Sequence, residues 1–480
     1  MEEKTIIALE IGSSKIKGAI GTVGPDGALN VKAVEEEPIS DIVRYGCIRN
    51  IVETERVVRD VISRLELRES PRKIQGVYLS VGGRSLAVQS VEIERRLPSE
   101  KIIEEDVIQD ITQEAFDYRI NDRSVVTVTP RGELLVDNAV TPHPIGVMGS
   151  HIVARLNIVN CRTQLLRNLS VVIEERLGLK IIDKFVRPLA LADLVLLNEE
   201  KRLGCMLVDF GAETTTVAIY QGGALIHLAV LPMGSRNITR DITALNYLEE
   251  QAEELKKTGG SAVPTMESPH APGQPDFVTI NNYVSARAGE IIVNITEQIK
   301  YADLTPDRLP AGIILVGKGA RLNGFSQRLE QISGMKVRAG APGNRVRILD
   351  GRIQGSDAVD VIAILNAASK HDPQECMSVW EAPEQPKVAE EPVQPAVNAA
   401  PQQPQGASTQ TDVKRPTAGG TATPPRPVAP KVNTQPSGTE GGQQDNKVKK
   451  TNIFKQGYNN LVNRVAKIIS DGFEEEDDEE

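Results

Sequence analysis

The sequence predicts an α/β protein of two duplicated lobes, with a small α+β subdomain inserted in the first. A disordered linker and a terminal amphipathic helix follow. Three observations predict this. The run Ile7-Ala8-Leu9-Glu10-Ile11-Gly12-Ser13-Ser14 returns as Leu207-Val208-Asp209-Phe210-Gly211-Ala212-Glu213-Thr214, and Glu10 and Asp209 are 199 residues apart. Solenoids repeat every ~20–50 residues, so a half-protein period means duplicated lobes. Strand-like and helix-like segments alternate over about 370 residues. The composition then changes: 13 of the 29 prolines fall between His371 and Lys450, a stretch too poor in large apolar residues to offset its chain entropy.

Taken in order, Thr5–Ile11, Lys17–Thr22 and Leu29–Glu35 read as consecutive strands joined by glycine-containing turns. Val52–Leu65 carries apolar residues at 57, 58, 61, 62 and 65, a helical spacing. Gly76–Val81 is a short apolar strand. Residues 83–160 read as the insertion, with strands Leu86–Ile93, Ser124–Thr129 and Val153–Val159 and an acidic helix Glu104–Phe116. A helical period resumes over 162–177. In the second half, Thr216–Tyr220 repeats the hairpin partner Ile16–Ile20. Gly312–Val316 is a buried-type strand, followed by Gly317-Lys318-Gly319 and a helix Phe325–Ile332.

Composition excludes several function classes. The 480 residues allow two to four folded units, and 25 % are charged with a net charge of −10, which argues against a nucleic-acid backbone binder. One Trp, seven Phe and eight Tyr leave little for base stacking. The four cysteines (47, 161, 205 and 376) form no CxxC pair, and the histidines form no metal-ligand spacing. No apolar run approaches a membrane span and no signal peptide opens the chain, so an intracellular, soluble or peripheral protein is expected.

The hairpins carry the chemistry. A glycine without Cβ lets backbone N–H groups approach a phosphate, and Ser or Thr hydroxyls add donors. Glu10 and Asp209, at the strand ends, would hold hydrated Mg²⁺, which prefers oxygen ligands. Facing each other, the two hairpins would clamp a nucleotide. The glycines after Val316 would bring a third loop to it. There is no Walker A sequence.

These three loops resemble the two phosphate motifs and the adenosine motif of the actin, sugar-kinase and chaperone ATPase superfamily. Leu231–Asp241 (LPMGSRNITRD), Leu248–Val263 (LEEQAEELKKTGGSAV), Pro144–Gly149 (PIGVMG) and the linker-plus-helix C-terminus narrow this to a resemblance to the bacterial cell division FtsA family. The resemblance covers roughly residues 4–370 and the extreme C-terminus. It implies an actin-like fold: a first lobe at 1–82, 161–200 and about 345–370, the inserted subdomain at 83–160, and a second lobe at 201–344 with a smaller subdomain at about 235–305. Beyond them come a linker at 371–451, a membrane-targeting helix at 452–473 and an acidic tail at 474–480. It implies ATP and Mg²⁺ in the cleft, self-association into filaments, and tethering of FtsZ by its C-terminal peptide at the division site, on the cytoplasmic face of the inner membrane, with recruitment of later division proteins.

By position, Gly12, Ser13, Ser14 and Lys15 match the first phosphate loop, and Asp209, Gly211, Thr214 and Thr215 match the second. Gly317 and Gly319 match the adenosine loop, and Arg287 and Glu290 the pair that grips ribose and adenine. Glu10 replaces the family's usual Asp, Ala212 and Glu213 replace glycines, and Lys318 replaces a small residue. Hydrolysis is therefore expected to be weak at most, and no residue is nominated as catalytic beyond Glu10 and Asp209 as Mg²⁺-water ligands. Arg236, Arg240 and Lys300 are the candidates for FtsZ. A kinase on the same superfold lacks an evident base; an actin-like membrane scaffold of a pilus or secretion machine is the alternative.

The terminal segment places Phe454, Tyr458, Leu461, Val462, Val465, Ile469 and Phe473 on one helical face, with Lys455, Arg464 and Lys467 among its polar residues. That pattern suits an interfacial helix on anionic lipid. The tail EEEDDEE opposes it.

Overall fold

Two sheets share one strand order. The structure, a computed structural model, describes residues 3–24, 27–132, 134–141, 143–264, 275–353 and 355–379. The linker, terminal helix and acidic tail expected from the sequence lie outside them. All described residues belong to one compact unit.

In the first lobe Lys4–Ile11 pairs antiparallel with Lys15–Val23, which pairs with Leu29–Pro38. On its other side Lys4–Ile11 pairs parallel with Gly76–Val81, and that strand with Lys180–Val186. The second lobe repeats this. Cys205–Phe210 pairs antiparallel with Thr215–Gln221, which pairs with Ala224–Leu231; Ile313–Val316 and Val337–Ala339 continue in parallel. Val346–Ile348 adds a sixth strand to the first sheet. The central strands are buried on both faces, as their near-continuous Val, Ile and Leu content requires. The duplication read from the two hairpins is thus a duplication of whole sheets.

The helix Ile51–Arg68 buries Val57, Val58, Val61, Ile62 and Leu65, the same five positions that its periodicity marks. Each contributes roughly 1.5–3 kcal/mol of burial. Asn50 caps it by accepting from the Glu53 N–H at 3.1 Å. The helix Val359–Lys370 is largely apolar and lies between first-lobe elements, with nine of its residues buried.

Residues 87–162 carry a five-stranded sheet and the helix Glu105–Phe116, with a core of their own around Ile103, Ile108, Ile111, Ile152 and Leu156. Two strands are longer than their apolar patterns indicate: Ala87–Ile102 and Met148–Arg162. The charged run Glu92–Arg96 hides the alternation, yet the backbone pairing continues. Pro98 is accommodated because Ala87–Ile102 is an edge strand whose register breaks between Arg96 and Lys101. The helical period at 162–177 resolves into an α-helix, Thr163–Ser170, running into a π-helical turn, Val171–Arg176. The helix carrying Arg287 starts at Phe277, because Asp276 caps it by accepting from Val278 and Thr279. No helix among the described residues is long and apolar enough to cross a membrane.

Candidate functional site in the interlobe cleft

Each central strand ends in the same turn. Gly12 N–H donates to the Lys15 carbonyl at 3.0 Å, and Gly211 N–H to the Thr214 carbonyl at 2.9 Å. The carbonyls of Gly211 and Ala212 in turn accept from Ser235 and Arg236 at the start of the helix Ser235–Thr243. Both turns face one cleft, which Gly317 and Lys318 also line. Gly317 sits at φ +92°, and a Cβ there would come within 2.5 Å of the Phe210 carbonyl and 2.8 Å of Asp209 Oδ1. Only glycine permits that approach. The cavity these turns line is about 90 Å³ and partly open to solvent.

The cleft floor is charged. Arg187 Nη1 donates to Glu10 Oε1 at 3.0 Å, and Arg187 Nη2 lies 3.0 Å from Asp209 Oδ2. Lys17 Nζ donates to Asp360 Oδ2 at 2.5 Å and to the Asp357 carbonyl at 3.3 Å. Three acids thus face two bases. Burial, reinforced by the charges of Asp360 and Asp209, pushes Glu10 up to about 7 against the pull of Arg187 and Lys17. Burial also raises Asp209. For Asp360 burial is outweighed by Lys17, which holds the carboxyl below its ordinary value. Among the described residues Arg187 Nε is buried without a hydrogen-bond partner.

A hairpin roofs this floor. Val43–Arg44 pairs with Cys47–Ile48, and its turn is gripped from the second lobe by Glu213. The Tyr45 N–H donates to Glu213 Oε2 at 2.6 Å, and Arg44 Nε lies 2.9 Å from Oε1. Arg236 Nη1 and Arg240 Nη2 reach the same oxygen at 3.1 and 3.6 Å. On the first lobe's side the Gly46 N–H donates to Ser13 Oγ at 2.9 Å. Glu213, the acid that would crowd a phosphate, lines the cleft with its charge matched by three arginines.

Glu10, Gly12, Ser13, Ser14, Lys15, Asp209, Gly211, Thr214 and Gly317 line one cleft. Thr215 and Gly319 do not. Thr215 is buried and donates to the Met233 carbonyl at 2.8 Å, and Gly319 packs under the Phe210 ring. Arg287 and Glu290 also lie outside the lining; Arg287 is paired with Asp241 at 2.6 Å and with Glu290. Arg236 and Arg240 are drawn to Glu213, and Lys300 pairs with Glu297 at 2.6 Å on an exposed helix face. Lys17, Arg44, Arg187 and Asp360 are absent from the sequence reading. A signal existed: Lys17 and Asp360 each interrupt an otherwise apolar strand or helix.

The glycine-lined turns and Arg187, which lines the same cleft, suit the phosphate tail of a nucleotide. Glu10 and Asp209 do not suit Mg²⁺, because a guanidinium already bridges them. Among the described residues no group of three or more His, Cys, Asp or Glu is placed to hold a metal ion.

Duplicated sheets, each ending in a glycine turn at a shared cleft, define an actin-like α/β protein. The solved PilM–PilN type IV pilus biogenesis complex shares this fold, with a TM-score of 0.56 at 16 % identity, covering 76 % of this chain and 98 % of that one. At that identity the likeness speaks for the fold alone. The model of the family "Cell division protein FtsA" matches residues 206–362. Cell division protein FtsA of Porphyromonas gingivalis is 31 % identical over 338 residues, 68 % of this chain and 70 % of that protein. Its namesake in Escherichia coli K12 is 27 % identical over 368 residues, 73 % and 87 %. The chain belongs to the FtsA family of actin-like cell division proteins.

Proposed function

We propose that this chain is a membrane-bound, filament-forming scaffold of the division site that binds ATP between its lobes. It hydrolyses ATP weakly at most, given Glu10, Ala212 and Glu213 where the family has Asp and glycines. The observation that carries the ATP reading is the pair of equivalent turns, at Gly12 and Gly211, on opposite walls of one cleft. Family membership supports tethering of FtsZ through its C-terminal peptide, self-association, recruitment of later division proteins, and a place on the cytoplasmic face of the inner membrane. The amphipathic pattern of 452–473 supports the anchor. The domain boundaries given above belong to the same reading. Head-to-tail contact between copies need not close, so filaments follow from it.

Gly12→Arg and Gly211→Arg test the cleft. Neither glycine has a left-handed backbone, and a Cβ at either approaches backbone oxygen at 3.0 Å, so the new side chain enters the phosphate space. Both variants are expected to lose binding of a fluorescent ATP analogue; unchanged binding in both would remove the ATP reading. Pull-down with the C-terminal peptide of FtsZ tests the scaffold role. Retention of that peptide by the full chain is expected, and its absence would count against tethering.

A further inference from the structure

The bridge made by Arg187 has a consequence for how phosphate is held. We propose that the Arg187 guanidinium takes the place of a divalent cation in this cleft, so that ATP binds as the free nucleotide and Mg²⁺ is not required. This rests on the reading that the cleft binds ATP.

The argument begins with geometry. Arg187 opens the helix Arg187–Val195, directly after the strand Lys180–Val186 at the edge of the parallel half of the first sheet. Pro188 is tolerated there because the first helical turn needs no donor from that position. This junction delivers the guanidinium between the two acids at the central strand ends, 3.0 Å from each. A planar fork with five donors can serve two carboxylates and still present N–H groups elsewhere. Arg187 lines the cleft between the two turns.

Charge gives the second step. Mg²⁺ needs close to six oxygens in near-octahedral geometry and gives up its waters reluctantly. Arg187 takes one oxygen of each carboxylate, Glu10 Oε1 and Asp209 Oδ2, so a Mg²⁺ on the remaining oxygens would sit close to a buried guanidinium with Lys17 nearby, at a Coulomb cost. The third acid is unavailable as compensation, since Asp360 is committed to Lys17. The cleft has thus supplied its own cation at the junction of the two phosphate turns. Phosphate oxygens are good acceptors for arginine, and such charge-assisted bonds are among the stronger ones in proteins.

The test is equilibrium titration of the full-length chain with a fluorescent ATP analogue, once with MgCl₂ and once with EDTA. The wild-type affinity is expected to agree within about twofold between the two, less than the loss of one charge-assisted hydrogen bond would produce. Arg187→Gln should bind about tenfold more weakly or worse in EDTA, the scale of one such bond. It should regain affinity with Mg²⁺, because its two carboxylates are then free to receive a metal. Mn²⁺ titrated with ATP should accordingly give a protein-bound electron paramagnetic resonance signal in Arg187→Gln and none in the wild type. Wild-type binding that survives in MgCl₂ and disappears in EDTA overturns this proposal and leaves the ATP reading standing. Failure to bind the analogue in either condition overturns both. The wild-type comparison involves no variant, so a misfolded Arg187→Gln does not remove the test.

Discussion

Asp360→Leu is expected to destabilise the chain by about 3–5 kcal/mol, the usual loss when one partner of a buried ion pair is removed. Lys17 lies in a strand buried on both faces, and its side chain is 6 % exposed. Without Asp360 its ammonium keeps only the Asp357 carbonyl as a hydrogen-bond partner. The reverse change, Lys17→Met, should cost less, roughly 1–3 kcal/mol. Asp360 is 24 % exposed and still accepts from the Val361 N–H at 2.9 Å. Loss of Lys17 also removes a charge that helps hold Glu10 ionised, so part of the cost appears as further protonation of Glu10. Combining the two should recover roughly half or more of the larger single loss, because apolar side chains replace a pair whose desolvation was never fully offset. Urea midpoints at constant slope measure all three. A double variant as unstable as the sum of the singles would show that the pair does not act as a unit.

Glu213→Ala should loosen the roof of the cleft. The carboxylate is 1 % exposed at its side chain and serves Arg44 and Tyr45 from the first lobe and Arg236 and Arg240 from the second. Removing it leaves the guanidinium groups facing one another across the lobe boundary and the Tyr45 N–H without its acceptor. A loss of about 3–5 kcal/mol is expected on the same ground as above. The more specific result is local. Amide hydrogen exchange at Tyr45 and Gly46 should rise well before exchange in the central strands, since the hairpin Val43–Ile48 would open without global unfolding. Glu213→Gln keeps an acceptor for Tyr45 and should show a smaller effect. Unchanged exchange at Tyr45 in Glu213→Ala would remove Glu213 as the clasp.

The duplicated lobes, the insertion and the two glycine turns were legible in the sequence, and all for one reason. Each is written in contiguous residues. A strand, an acid, a glycine and a second strand occupy about fifteen positions, and their signal does not depend on what packs against them. The five buried positions of Ile51–Arg68 are legible in the same way, through a period that the helix imposes. The tertiary structure alone decided the electrostatics. Lys17 on a strand, Arg187 at a helix start and Asp360 on a helix are separated by more than 150 residues at each step, and charge pairing depends on distance in space, not along the chain. The same holds for Glu213 and Arg44, whose meeting requires both lobes to be folded. Arg236 and Arg240 show the consequence. As sequence they are two basic residues on a helix; in the fold one buried carboxylate commits them to the cleft.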